Sequence, residues 1–168
     1  LLLYSAFSND FGKTWSIPQQ LTPSTETYLL SQSATVIPFF PLNQQGRSVF
    51  CWIDSSSAPP KLNVKAALFD SSSGWTTAPL ATFSPPLEFP VESFIKNAVI
   101  GNNNFSVVIW MEYTGPDYNL KSAYNDGTNS SWQVVATDIA TGIDGFANPV
   151  LGMSPSGEHL FVFWREST

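Results

Sequence analysis

Apolar positions in this chain come in short runs, never in long amphipathic stretches. Three of the runs are nearly continuous: SVFCWID (48–54), VVIWME (107–112) and FVFWRE (161–166), each ending Trp-x-Asp/Glu. Ten to twelve residues after the tryptophan of the first two comes a strand of small and apolar residues, VKAALF (64–69) and LKSAY (120–124), and LYSAF (3–7) has the same character. A polar turn and a tryptophan follow each of these, then TTAPLAT (76–82), QVVATDI (133–139) and IPQQLT (17–22). Upstream of the continuous runs lie SATVIP (33–38), KNAVIG (96–101) and ANPVLG (147–152). Runs of this length, rich in Val, Ile, Phe, Tyr and Thr and bounded by Gly, Pro, Asn and Ser, predict β-strands. No segment keeps a 3.6-residue period with helix caps, so essentially no helix is expected.

The six tryptophans sort into two interleaved series. Trp15, Trp75 and Trp132 are separated by 60 and 57 residues; Trp52, Trp110 and Trp164 by 58 and 54. The pattern predicts a fourfold-stranded unit repeated at that spacing, with repeats at about 33–94 and 95–146 and a third assembled from 147–168 plus 1–32. Four antiparallel strands at such a period describe a β-propeller blade. The expected fold class is therefore all-β, with three blades per chain. Three blades do not close a ring, and lateral faces rich in Trp and Phe mark an association surface. A homodimer closing one six-bladed ring is the expected assembly. Its split blade closes either within one chain or by exchange of strands between chains. The alternative is that the sequence, which begins on Leu, is a piece of a longer polypeptide.

The turn before the first tryptophan reads SNDFGKTW (8–15). It resembles the Asp-box, Ser-x-Asp-x-Gly-x-Thr-Trp, of sialidase-type propellers, through Ser8, Asp10, Gly12, Thr14 and Trp15. Degenerate copies keep Asp70, Gly74 and Trp75, and then mainly Trp132. The resemblance implies a folding element: an Asp bonding its own turn, a Gly at positive φ, and an aromatic packed between blades. It implies fold and not catalysis. Sialidases hold their substrate with three arginines, whereas this chain has only Arg47 and Arg165. No enzymatic activity is therefore expected.

Other chemistry is sparse. Seven basic residues against thirteen acidic ones give a net charge of −6, which disfavours a nucleic-acid binder. No apolar run is long enough to span a bilayer, and the acidic, lysine-poor composition fits an exported or surface protein. His159 falls in a turn, and no zinc, calcium or nucleophile motif surrounds it, so no metal or cofactor is expected. Cys51 is the single cysteine and has no disulfide partner in the chain. Asn104 and Asn129 begin N-glycosylation triplets. One feature recurs in every unit: Trp52 with Asp54, Trp110 with Glu112, and Trp164 with Glu166, the middle pair followed by Tyr113 and Tyr118. Strand alternation puts each Trp and its acid on one face. An aromatic plate beside a carboxylate is suited to a sugar, which makes a lectin with repeated sites one reading. Core packing of the Trp is the other. The leading expectation is a non-enzymatic binding module whose partner is a protein or a glycan. An inert part of a glycan-active enzyme is a third reading.

Overall fold

The computed structural model describes residues 4–8, 12–20, 27–28, 41–56, 61–84, 95–115, 117–145 and 147–166. Among these the chain is all-β, in four antiparallel sheets, none of them closed. An N-terminal hairpin pairs β1 (Tyr4–Ser5) with β2 (Gln19–Gln20). A four-stranded meander follows, in the order β3 (Thr27–Tyr28), β4 (Ser48–Ser56), β5 (Lys61–Asp70) and β6 (Gly74–Phe83). The next sheet runs β7 (Ile95–Ile100), β8 (Ser106–Tyr113), β9 (Tyr118–Asn125) and β10 (Gln133–Val134), with β11 (Ala140–Ile143) also on β9. A last hairpin joins β12 (Val150–Met153) to β13 (Leu160–Phe163).

Two of the three continuous apolar runs became β4 and β8, each an interior strand with a neighbour on both sides; the third became β13, paired only with β12 among the described residues. Residues 106–111 of β8 are all buried, so both faces of the strand are covered. That is the physical meaning of an apolar run that does not alternate. The neighbouring β5 and β9 supply small side chains, Ala66, Ala67 and Ala123, all fully buried. Small residues let the layers approach without steric conflict. One core cluster runs from Val49, Cys51 and Ile53 through Val108, Trp110 and Met111 to Ile143 and Leu151. β7 packs on both β4 and β12, which ties the two meanders and the last hairpin into a row. The first hairpin docks on the other side of the first meander. There the Trp75 indole donates to Ser5 Oγ at 2.7 Å, and the Phe7 ring lies 5.1 Å from that of Phe69.

Two boundaries differ from the sequence expectation. The first strand of the first meander is Thr27–Tyr28, paired with Asp54 and Ser55. The segment expected there, 33–38, lies outside the described residues. The outer strand of the second meander is broken: β10 and β11 flank residues 135–139, and the pairing of β11 with β9 shifts register. Two bonds bridge the break, from Val135 N to Ser122 O and from Ile139 N to Leu120 O. Asp138 explains the detour, because its carboxylate turns inward to meet Lys121 and Asn119.

Candidate functional site

The Trp-x-acid positions occupy equivalent places in the two meanders. Trp52 lies opposite Lys65 and Trp110 opposite Lys121. Both indoles are buried, and neither ring N–H has an acceptor among the described residues. Their faces are covered by protein and offer no plate for a ligand. Phe50 and Trp52 stack with ring centroids 5.6 Å apart, beside Ala67 and Trp75. Asp54 lies in β4, with its side chain outside the described ones. Glu112 is half-buried at the end of β8, next to Tyr113, whose ring sits 5.3 Å from the buried Tyr118. Trp164 differs from its counterparts. It is exposed, and its indole donates to Glu166 Oε1 at 3.0 Å.

The tryptophan turns are built alike. Gly12, Gly74 and Gly127 all have φ between 76° and 80°, the left-handed region that a side chain disfavours. Ser8 Oγ accepts from Gly12 N at 2.8 Å; Asp10 lies outside the described residues. Thr14 is exposed, as is Trp15. In the second turn Asp70 Oδ1 accepts from Ser72 N at 2.9 Å and from Ser72 Oγ at 2.5 Å. In the third, Asn125 does the work of the aspartate. Its carboxamide accepts from Gly127 N and donates to Asn129 O and Ser131 O, at 2.7 to 2.8 Å. Trp75 and Trp132 each pack partly buried against a core cluster.

Asp70 also faces outward from its turn. Arg47 Nε donates to its Oδ2 at 2.7 Å, and Arg47 Nη1 reaches Gly127 O of the second meander at 3.4 Å. These groups line a cleft between the two sheets, of about 130 Å³, together with Leu68, Ile100, Asn104, Asn125 and Thr128. The two Ser72 hydrogen bonds, aided by the Arg47 guanidinium, hold the Asp70 carboxyl at about 2, against an ordinary 3.8. A folded-state value below the unfolded one adds stability that is complete above the ordinary value and disappears as pH falls through the lower one. Asp70→Asn is accordingly expected to flatten the fall in the urea midpoint between about pH 4 and pH 2. An unchanged acid limb in the variant would show that the carboxylate bonds add nothing.

A second polar group sits at the far end of β9. Lys121 Nζ lies 2.8 Å from Asp138 Oδ1, and Asn119 Nδ2 donates to Asp138 Oδ2 at 2.7 Å. The Asp138 hydrogen bond raises the Lys121 pKa, with Glu112 adding to the effect and burial opposing it. Neither this pair nor the Arg47–Asp70 pair was legible beforehand, because each joins residues 17 or more positions apart across a sheet. The usable signal was the Lys that recurs in VKAALF and LKSAY.

Three turns bond to one another across the sheets. Residues 43–46, 101–104 and 154–157 each close with a bond from the fourth amide to the first carbonyl, at 2.8 to 3.1 Å. The fourth residues, Gly46, Asn104 and Gly157, all have positive φ. Asn43 Nδ2 donates to Gly101 O at 3.0 Å and to Asn104 Oδ1 at 2.8 Å, and Gln44 N donates to Asn102 Oδ1. Asn102 N then donates to Pro155 O at 2.8 Å. Each turn thus holds the next. Asn104, the first glycosylation candidate, is half-buried here with its Oδ1 accepting from Asn43, whereas Asn129 is exposed. His159 is exposed between the third turn and β13, and Arg165 N donates to Ala147 O. Among the described residues no three His, Cys, Asp or Glu side chains gather as a metal site requires, and no helix is long and apolar enough to cross a membrane.

No protein-family model matches the chain, and the comparisons with curated proteins and with solved structures found no match.

Proposed function

We propose that this chain is a three-blade β-propeller unit, that two copies close a six-bladed ring, and that the ring is a non-enzymatic binding module. The observation that carries the reading is the equivalence of the two meanders. Each places its Trp-x-acid tryptophan opposite a lysine in the same register, and three turns with the same closing bond lie in a row, each bonded to the next. Repeated modules stacked face to face with one conserved offset form an arc, and a propeller is the architecture that such an arc completes. The cleft between the two meanders is small, about 130 Å³, and its Arg47 and Asp70 are already bonded to the protein, which favours a protein partner held on a broad rim. The covered indoles of Trp52 and Trp110 weigh against a lectin with a stacking plate in every blade.

The measurement is the native mass. Two copies of the 18.4 kDa chain are expected by native mass spectrometry and by sedimentation at micromolar concentration. A folded monomer with sharp near-UV dichroism would sink the ring.

A further inference from the structure

We infer that the exposed edge of β13 is paired by β1 of a second copy of this chain, so that the third unit is built from two molecules. This deepens the ring reading and rests on it. β13 is the counterpart of β4 and β8, yet its environment is opposite. Phe161 is 57% exposed, Phe163 68% and Trp164 38%, whereas Val49, Val107, Cys51, Ile109, Trp52 and Trp110 at the equivalent positions lie between 0% and 8%. The strand has the composition of a doubly covered centre and the position of an edge. Its sole pairing among the described residues is with β12. An exposed apolar edge of this kind, even on a four-residue strand, is a template for another strand.

The repeat says which strand. β4 pairs with β5 and β8 with β9. The matching segment of the third unit is LYSAF, which superposes Tyr4 on Lys121, Ser5 on Ser122 and Ala6 on Ala123 of LKSAY. β1 pairs with β2 on one side, and no other strand among the described residues takes its second edge. Within one chain the two edges cannot meet. The β1–β2 hairpin is docked on the first meander through Ser5 and Phe7. The β12–β13 hairpin is docked on the second meander through Pro155 and β7. Two sheets stand between them, and sheets pack about 10 Å apart, so the edges lie roughly 30 Å from each other. A second copy presents its β1 edge without disturbing either dock. The register of β8 on β9 then puts Trp164 opposite Tyr4 and Val162 opposite Ala6 of the other molecule.

Cysteines test this directly. Directly opposed strand residues have Cβ atoms within reach of a disulfide. The native Cys51 does not compete, because it is buried and burial pushes its thiol up to about 12. Ala6→Cys and Val162→Cys chains, each verified as folded by circular dichroism, are mixed and mildly oxidised. A disulfide-linked species of twice the chain mass on a non-reducing gel is expected, and the double variant is expected to give the same covalent dimer. An internally bridged monomer in the double variant overturns strand exchange. A non-covalent dimer whose cysteines stay reduced overturns it too, while leaving the ring intact; a monomer overturns both. Phe163→Asp supplies a readout independent of thiols. The side chain is exposed in the subunit, so folding is retained, and the dimer is expected to weaken at least about 100-fold through the charge buried at the new edge. An unaffected dimer would rule out β13 as the contact.

Discussion

Trp110→Ala is expected to destabilise the folded chain by about 3–5 kcal/mol, the range for removing a large aromatic from a packed core. Trp110 is 1% exposed and lies in the cluster shared by the two meanders. The cavity is bounded by β-sheet on both sides, and strands held by ladder bonds collapse poorly into a void. A small domain has only about 5–15 kcal/mol in total, so the variant should unfold well below the wild-type urea midpoint. Trp110→Phe separates packing from hydrogen bonding. The indole N–H has no acceptor among the described residues, so its removal relieves an unmet donor and the Phe variant should lose clearly less than Ala. Equal losses for the two would mean that the ring's size contributes little.

Gly101→Ala is expected to cost about 2–3 kcal/mol, by overpacking rather than by a cavity. A Cβ at that position would sit 2.6 Å from Gly157 Cα and 2.9 Å from Gly157 N, both backbone atoms of the neighbouring turn. Backbone cannot rotate away as a side chain does. The turns must separate, and the bond from Asn102 N to Pro155 O is the first to be lost. Amide exchange at Asn102 should accelerate together with the fall in stability. Gly46 is the comparison: a Cβ there meets nothing within 4 Å, so Gly46→Ala brings only the strain of φ at 74°. That strain is about 1–2 kcal/mol. A Gly101 variant no worse than the Gly46 variant would show that the two turns yield easily.

Local chemistry explains which parts of the fold were legible in the sequence. β4, β5, β8 and β9 were visible because a strand covered on both faces must be a short, unbroken apolar run, and its partner must carry small residues to let the layers close. The turns before Trp15 and Trp75 were visible because an aspartate five residues before a tryptophan, with a glycine between them, has few other uses; the glycine itself shifts, two residues after Asp10 but four after Asp70. Asn125 was missed because its turn is two residues longer, which hides the equivalence in a linear reading. The break at 135–139 was missed for a different reason: QVVATDI reads as one strand, and only the inward turn of Asp138 toward Lys121 interrupts it. Trp52 and Trp110 were recognised as a recurring feature, but a strand pattern gives only the face on which a side chain lies. It cannot say whether another layer covers that face. The exposure of Trp15 and Trp164 has the same origin, since what covers them depends on layers that a single strand's pattern does not encode.

The row of turns at 43–46, 101–104 and 154–157 also restricts where the surface can diversify. Each turn is fixed in length by the one beside it, since an inserted residue would displace the carbonyl that the neighbour's amide needs. At the opposite rim the loop 114–117 closes on itself, with Thr114 N and Oγ1 both donating to Asp117 O. Loops of that kind can lengthen or change composition without unseating the layers, so new recognition properties would be acquired at that rim while the other keeps the layers aligned.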